Sequence, residues 1–237
     1  MKLKAICFDA AGTLLDPVAP IGESYASVAG RHGVQVSSAE IEERFRSCYS
    51  NCPPLAFPGA AADQLKGLER GWWKNLVRKI FERHEPFPRF EDYFTELFAH
   101  FGKTESWTLY PETQETLTAL RKRGFLLLVI SNFDSRLLAI LDGLGVASCF
   151  DSVVLSSRAG HAKPSPEIFQ SALRLYDLKP HEAMHVGDSL ENDAAGAARA
   201  GLEAVWLNRN GGGTAQPFPQ VRSLKEILSL IDQGSVF

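Results

Sequence analysis

Hydrophobic and polar positions alternate along this chain in two distinct ways. Lys4 to Phe8, Phe125 to Ile130, Ser152 to Leu155, Ala183 to Val186 and Glu203 to Leu207 are short runs with little or no polar interruption. Such runs predict strands buried on both faces. Between the later ones, apolar residues recur at helical spacing over Pro111–Arg123, Ser135–Leu144, Ser165–Tyr176, Asn192–Ala200 and Leu224–Ile231. Gly124 and Gly201 stand where two of these helices stop. Strands alternating with helices predict an α/β fold: a parallel sheet covered on both faces.

Residues 16–105 have a different character. They contain no comparably apolar run, and helical patterns cover Glu23–His32, Ser38–Cys48, Asp63–Arg83 and Phe90–Phe101. Ser37 or Ser38 followed by acidic residues marks a helix start. Because the first strand needs the later ones as partners, the chain reads as a Rossmann-like core (1–15 and 106–237) interrupted by a helical domain (16–105). The crossings between them fall near Leu15–Pro20 and Lys103–Trp107. Most of the insert's aromatic residues, among them Tyr25, Phe45, Tyr49, Trp73, Phe81 and Phe94, are expected to form its own core.

Composition narrows the function classes. A chain of 237 residues with 45% hydrophobic and 22% charged residues is ordinary for a globular protein, and its net charge of −3 gives no electrostatic argument for nucleic acid or an anionic membrane, so neither is expected as a partner. No apolar stretch reaches the ~18 residues of a membrane span, and Met1-Lys2-Leu3-Lys4 leads into a strand instead of a signal peptide. Cys7, Cys48, Cys52 and Cys149 include no Cys-x-x-Cys pair, which fits reduced thiols in a cytoplasm. Gly211-Gly212-Gly213-Thr214 lacks the Lys-Ser or Lys-Thr of a phosphate loop and reads as a loose connection. The sequence assigns no oligomeric state.

The chemistry collects at the strand ends, where open parallel sheets bind ligands. The first strand delivers Asp9, with Gly12 and Thr13 in the turn beyond. The second delivers Ser131 and Asn132, a later loop Lys163-Pro164, and the Ala183–Val186 strand Gly187-Asp188 with Asp193 at a helix start. These are parts for phosphoryl transfer to a carboxylate. Asp9, Asp188 and Asp193 offer hard oxygens that suit Mg²⁺. Lys163 can neutralise Asp9 and phosphoryl oxygens together, while the Ser131 hydroxyl and the Asn132 amide hold others. Each piece alone has an ordinary reading as a turn or cap residue; four in order, each at its own strand end, do not.

The series Asp9-x-x-Gly12-Thr13, Ser131-Asn132, Lys163-Pro164 and Gly187-Asp188-x-x-x-x-Asp193 resembles the haloacid dehalogenase superfamily of hydrolases, over the whole chain. The resemblance implies a helical cap inserted after the first motif, Asp9 as nucleophile, Mg²⁺ as cofactor and, most often, phosphatase activity on a small phosphorylated molecule. It assigns phosphate binding to Thr13, Ser131, Asn132 and Lys163. It assigns the metal to Asp9, Asp188, Asp193 and the backbone carbonyl of Ala11.

Ala11 is the departure. Phosphatases that this chain resembles carry a second Asp there, which protonates the leaving oxygen and activates water. Positioned acid–base groups contribute ~10²–10⁴-fold. Three readings follow: a phosphohydrolase with another proton source or with aryl or acyl phosphate substrates; a dehalogenase, which needs no acid; or a non-catalytic relative that binds phosphate or a partner. Asp16, Glu23, Asp134 and His161 are the candidate substitutes. Dehalogenases of the superfamily usually place an aromatic residue there and lack the Mg²⁺ acids, both unlike this chain. Phosphonate hydrolases have the alanine but use an early cap lysine, and no lysine lies between Lys4 and Lys66. The phosphohydrolase is the reading the residues favour.

Overall fold

The computed structural model describes residues 3–84, 86–212 and 216–233. Met1, Lys2, Gly213 and Thr214, which enter the readings of the first strand and the glycine loop, lie outside them.

The chain runs β1 (Ala5–Phe8), β2 (Leu15–Pro17), α1 (Ile21–Arg31), α2 (Ser38–Ser50), α3 (Leu65–Phe81), α4 (Phe90–His100) and β3 (Trp107–Leu109). It continues through α5 (Thr113–Lys122), β4 (Leu126–Ser131), α6 (Arg136–Gly143), β5 (Ser152–Leu155), α7 (Ser156–Ala159) and α8 (Pro166–Arg174). The last elements are β6 (Ala183–Gly187), a π-helical turn (Leu190–Ala195), α9 (Gly196–Arg199), β7 (Glu203–Leu207), β8 (Gln220–Val221) and α10 (Lys225–Asp232). Six strands form a parallel sheet in the order β5-β4-β1-β6-β7-β8. β1 is central, with Phe8 opposite Val129 on one side and Val186 on the other. Strand order reverses around it, which makes its carboxyl end the natural crevice.

Each strand reads as a continuous apolar run because both sheet faces are covered. Ile6, Phe8, Leu127, Val129 and Val186 pack with Leu117, Leu137, Ile140 and Ile227 of α5, α6 and α10. Ala5, Cys7, Leu128 and Ile130 face Ile168, Phe169 and Ala197 of α8 and α9. Burial holds the Cys7 thiol up, at about 12. All four cysteines are free.

Helices α1–α4 share a separate core built on Tyr25, Ile41, Leu76, Phe81, Tyr93 and Phe94. Ser37 caps α2 by accepting from the Glu40 amide at 3.4 Å. Gly22 lets α1 approach α2 closely, since a Cβ there would strike the Ser38 carbonyl. Phe45 and Trp73 pack against this core as expected and, with Tyr49, also line a pocket facing the sheet. The crossings to and from this helical segment pair as an antiparallel ribbon, Leu15 with Leu109 and Pro17 with Trp107. Among the described residues no helix is long and apolar enough to cross a membrane.

Candidate active site

The strand ends bring Asp9, Ser131, Asn132, Lys163, Asp188 and Asp193 to one pocket of about 670 Å³. The Asp9 amide donates to the Val186 carbonyl at 3.0 Å, so β1–β6 pairing extends one residue and fixes the carboxylate at the sheet edge. Lys163 reaches the same point from the loop before α8. Its buried Nζ donates to Asp9 Oδ1 at 2.7 Å and to Asp193 Oδ1 at 2.5 Å. Asn132 holds this lysine by its backbone: Nδ2 donates to the Lys163 carbonyl at 2.8 Å, and Oδ1 accepts from the Lys163 amide at 2.7 Å. Both ends of the Asn132 side chain are thus engaged, although the sequence reading gives it to the phosphate.

Asp193 is the most satisfied carboxylate of the site. Its Oδ1 also accepts from His185 Nε2 at 2.9 Å, and its Oδ2 from the Ser189 amide at 3.0 Å. Ser189 in turn caps the π-helical turn through the Asn192 amide. His185 escapes sequence reasoning because it looks like one polar residue in an apolar strand; its period-two position facing Asp193 was the available signal.

The electrostatics follow from burial and proximity. Burial alone would discharge Lys163, but Asp193 and Asp9 overcome it and hold the ammonium charged. Burial opposes the Asp193 charge, yet Lys163 and His185 pull its pKa well below the usual carboxylate range. Asp9 is pushed up by burial, against the pull of Lys163. Desolvation and then the Asp9 and Asp193 charges push Asp188 up to about 7. One ammonium does not balance three carboxylates.

Asp9, Asp188 and Asp193 each present an oxygen within 4.8 Å of the others. That donor set, hard and underneutralised, fits a divalent cation. Gly12 keeps the space open: a Cβ there would fall 2.5 Å from Asp188 Oδ2, and its φ of +83° suits glycine. The Gly12–Thr13 turn is held from outside by Arg209, which donates to the Gly12 carbonyl at 3.2 Å and the Thr13 carbonyl at 2.7 Å. Arg209 also pairs with Glu112 at 2.7 Å and lies 3.5 Å from the Tyr110 ring centre. Thr13 itself is fully buried, its Oγ1 has no partner, and it is not part of the pocket wall.

Ala11 lines the pocket, as do two carboxylates beyond the strand ends, Asp16 and Glu42. Of the candidate proton sources, only Asp16 is in the wall. Asp134 is buried, accepting from Arg136 and from Trp73 Nε1 at 2.5 Å, while Glu23 and His161 are exposed elsewhere. Helices and sheet meet through further polar contacts: Glu69 Oε1 accepts from the Ser135 amide at 3.1 Å, the Ser135 hydroxyl at 2.8 Å and the Ser157 hydroxyl at 2.7 Å.

A six-stranded parallel sheet with its polar pocket at the carboxyl edge, roofed by inserted helices, defines a Rossmann-like α/β protein. The chain belongs to the haloacid dehalogenase-like hydrolases, whose family profile matches residues 3–201. It is similar to haloacid dehalogenase-like hydrolase domain-containing protein 3 of Homo sapiens, at 35% identity over 210 residues covering 87% of this chain and 82% of the relative. A phosphoserine phosphatase of Thermus thermophilus is 29% identical over 227 residues, covering 87% and 89%. Among solved structures, a HAD phosphatase from Thermococcus onnurineus matches with a TM-score of 0.65 and 26% identity, covering 97% of this chain and 98% of the other.

Proposed function

We propose that this hydrolase is a Mg²⁺-dependent phosphohydrolase of small phosphorylated molecules, acting in the cytoplasm through Asp9. The observation that carries the reading is the Lys163 ammonium bridging Asp9 and Asp193 beside Asp188, at the floor of the pocket. Phosphatases among the relatives support it.

The residues divide the work. Lys163 holds one oxygen of Asp9 and keeps its own charge next to the phosphoryl group. The other Asp9 oxygen attacks phosphorus, forming an aspartyl phosphate. Ser131 lines the pocket beside it and offers a hydroxyl to a phosphoryl oxygen. Asn132 acts one step back, fixing Lys163. Asp9, Asp188, Asp193 and the Ala11 carbonyl would hold Mg²⁺, which supplies the positive charge that lets a carboxylate approach a phosphate dianion. Water then displaces Asp9 from phosphorus and frees the enzyme.

Release of phosphate from an aryl phosphate, with Mg²⁺ and with EDTA, for the natural protein and for Asp9→Asn, tests this. Metal-dependent turnover that disappears in Asp9→Asn is the expected result. Chloride release from chloroacetate without phosphate release would replace it with dehalogenation, and inactivity in both assays and on acetyl phosphate with a non-catalytic role.

A further inference from the structure

We infer that the preferred substrate is an aryl phosphate, a phosphate monoester of a phenol whose ring carries no second anion. The inference rests on the phosphohydrolase reading and names its substrate class.

Three independent features of the pocket converge on it. The first is the supply of protons. Ala11 offers none, and the two other carboxylates of the outer wall are occupied as acceptors. Asp16 Oδ2 accepts from the Tyr110 hydroxyl at 3.0 Å, while Glu42 accepts from the Gly22 amide at 2.7 Å and from Arg46 at 3.3 Å. An alkoxide leaving group, about as basic as hydroxide (water titrates near ~15.7), would depart without help. A phenolate, which titrates near ~10, does not need that help.

The second feature is shape. Phe45, Tyr49, Trp73 and Trp107 make one wall of the pocket. Phe45, Trp73, Trp107 and Phe133 also border a second cavity of about 60 Å³, lined by apolar and aromatic side chains with Arg136 its one charged residue. Arg136 is committed to Asp134 at 2.6 Å, with its guanidinium 3.9 Å from the Phe98 ring centre. Flat apolar walls suit a ring.

The third feature is charge. Among the described residues Lys163 is the one cation lining the pocket, and Asp9 and Asp193 already hold it. Arg31, Arg44 and Arg70 of the helical segment are directed elsewhere, to Glu96, to the Lys79 and Ile80 carbonyls and to Thr95, while Arg46 pairs with Glu42 of the wall without lining the pocket itself. A carboxylate on the leaving group would meet Asp16 and Glu42 with no partner of its own.

The chemistry balances without an added acid. An Asp9 oxygen forms a bond to phosphorus as the ester oxygen–phosphorus bond breaks, and the electron pair leaves on the phenolate, which takes a proton from water. Water then adds to phosphorus, Asp9 leaves as carboxylate, and the water's proton passes to solvent. Aryl phosphate and water become phenol and phosphate.

The test compares phenyl phosphate with cyclohexyl phosphate, and 4-methylphenyl with 4-carboxyphenyl phosphate, in Mg²⁺. Phenyl phosphate should exceed cyclohexyl phosphate in kcat by about 100-fold or more, the low end of what a positioned acid contributes. Cyclohexyl phosphate should still inhibit competitively. The carboxylated ester should fall about tenfold or more in kcat/KM below the methyl ester, despite its better leaving group, because like charges meet. Tyr49→Ala, at a half-exposed position, should raise KM for phenyl phosphate. Cyclohexyl turnover within about tenfold of phenyl, preference for the carboxylated ester, or selective loss of cyclohexyl turnover in Asp16→Asn or Glu42→Gln would each overturn the inference. Acetyl phosphate separates the two levels. If Asp9 is required for its hydrolysis but phenyl phosphate is not a substrate, the aryl inference alone fails; if no phosphate ester or anhydride is hydrolysed, both fall.

Discussion

Replacing Asn132 with Ala tests whether this amide serves the lysine or the substrate. Its two hydrogen bonds to the Lys163 backbone, 2.8 and 2.7 Å, are the contacts that set where the ammonium projects. A net value of about 0.5–1.5 kcal/mol each gives about 1–3 kcal/mol for the pair. If all of this is felt in the transition state, kcat/KM falls roughly 5- to 150-fold, since about 1.36 kcal/mol is tenfold. The same contacts exist without substrate, so the melting temperature should also drop, by roughly 2–4 °C per kcal/mol for a chain of this size. Asn132→Asp keeps an acceptor for the Lys163 amide but sets a carboxylate against the Lys163 carbonyl, and should not restore the activity. Steady-state kinetics on phenyl phosphate with circular-dichroism melting reads both quantities. A rise in KM alone, with kcat and melting temperature unchanged, would refute the reasoning and return Asn132 to the phosphate.

Ala11→Asp should raise kcat on cyclohexyl phosphate by about 100-fold while changing phenyl phosphate little, because an acid helps only the poor leaving group. Asp188 is raised from 3.8 to about 7, so the folded state binds its proton more tightly than the unfolded chain. Metal-free stability should therefore fall as pH climbs between those values, and melting in EDTA checks it; Mg²⁺ or Asp188→Asn should flatten the trend. Gly12→Ala forces a Cβ against Asp188 at φ +83° and should weaken Mg²⁺ binding, read by calorimetry. Glu69→Ala strands three donors from Ser135 and Ser157 and should cost about 2–4 kcal/mol by urea unfolding.

The five buried strands and the long helices were legible because each repeats one period over enough residues to average out local exceptions. The expected Phe125–Ile130 strand, for instance, is β4 shifted by a single residue. β2, β3 and β8 were not legible: with two or three residues, no period is defined, and their pairing is set by tertiary neighbours. The residues collected at the strand ends followed from topology, since a parallel sheet delivers consecutive strand ends to one edge. What the sequence concealed was allocation within the site. It could not tell that Asn132 faces the Lys163 backbone, that Thr13 turns inward, or that Phe45, Tyr49 and Trp73 also line the pocket. Those choices depend on which face of α2 and α3 meets the sheet, and an aromatic residue at helical spacing satisfies either face equally.

The β2–β3 ribbon has a consequence for how such a protein can change over time. The chain enters the helical segment past Leu15 and comes back at Leu109, directly across one antiparallel pair. Whatever is inserted between them begins and ends at neighbouring points, so a different helical bundle, or a bare hairpin, can be spliced in without moving a strand of the sheet. Lys163, Asp188 and Asp193 lie outside that interval and Asp9 precedes it. A lineage can therefore inherit one reaction and exchange, in a single recombination, the surface that decides which molecule undergoes it.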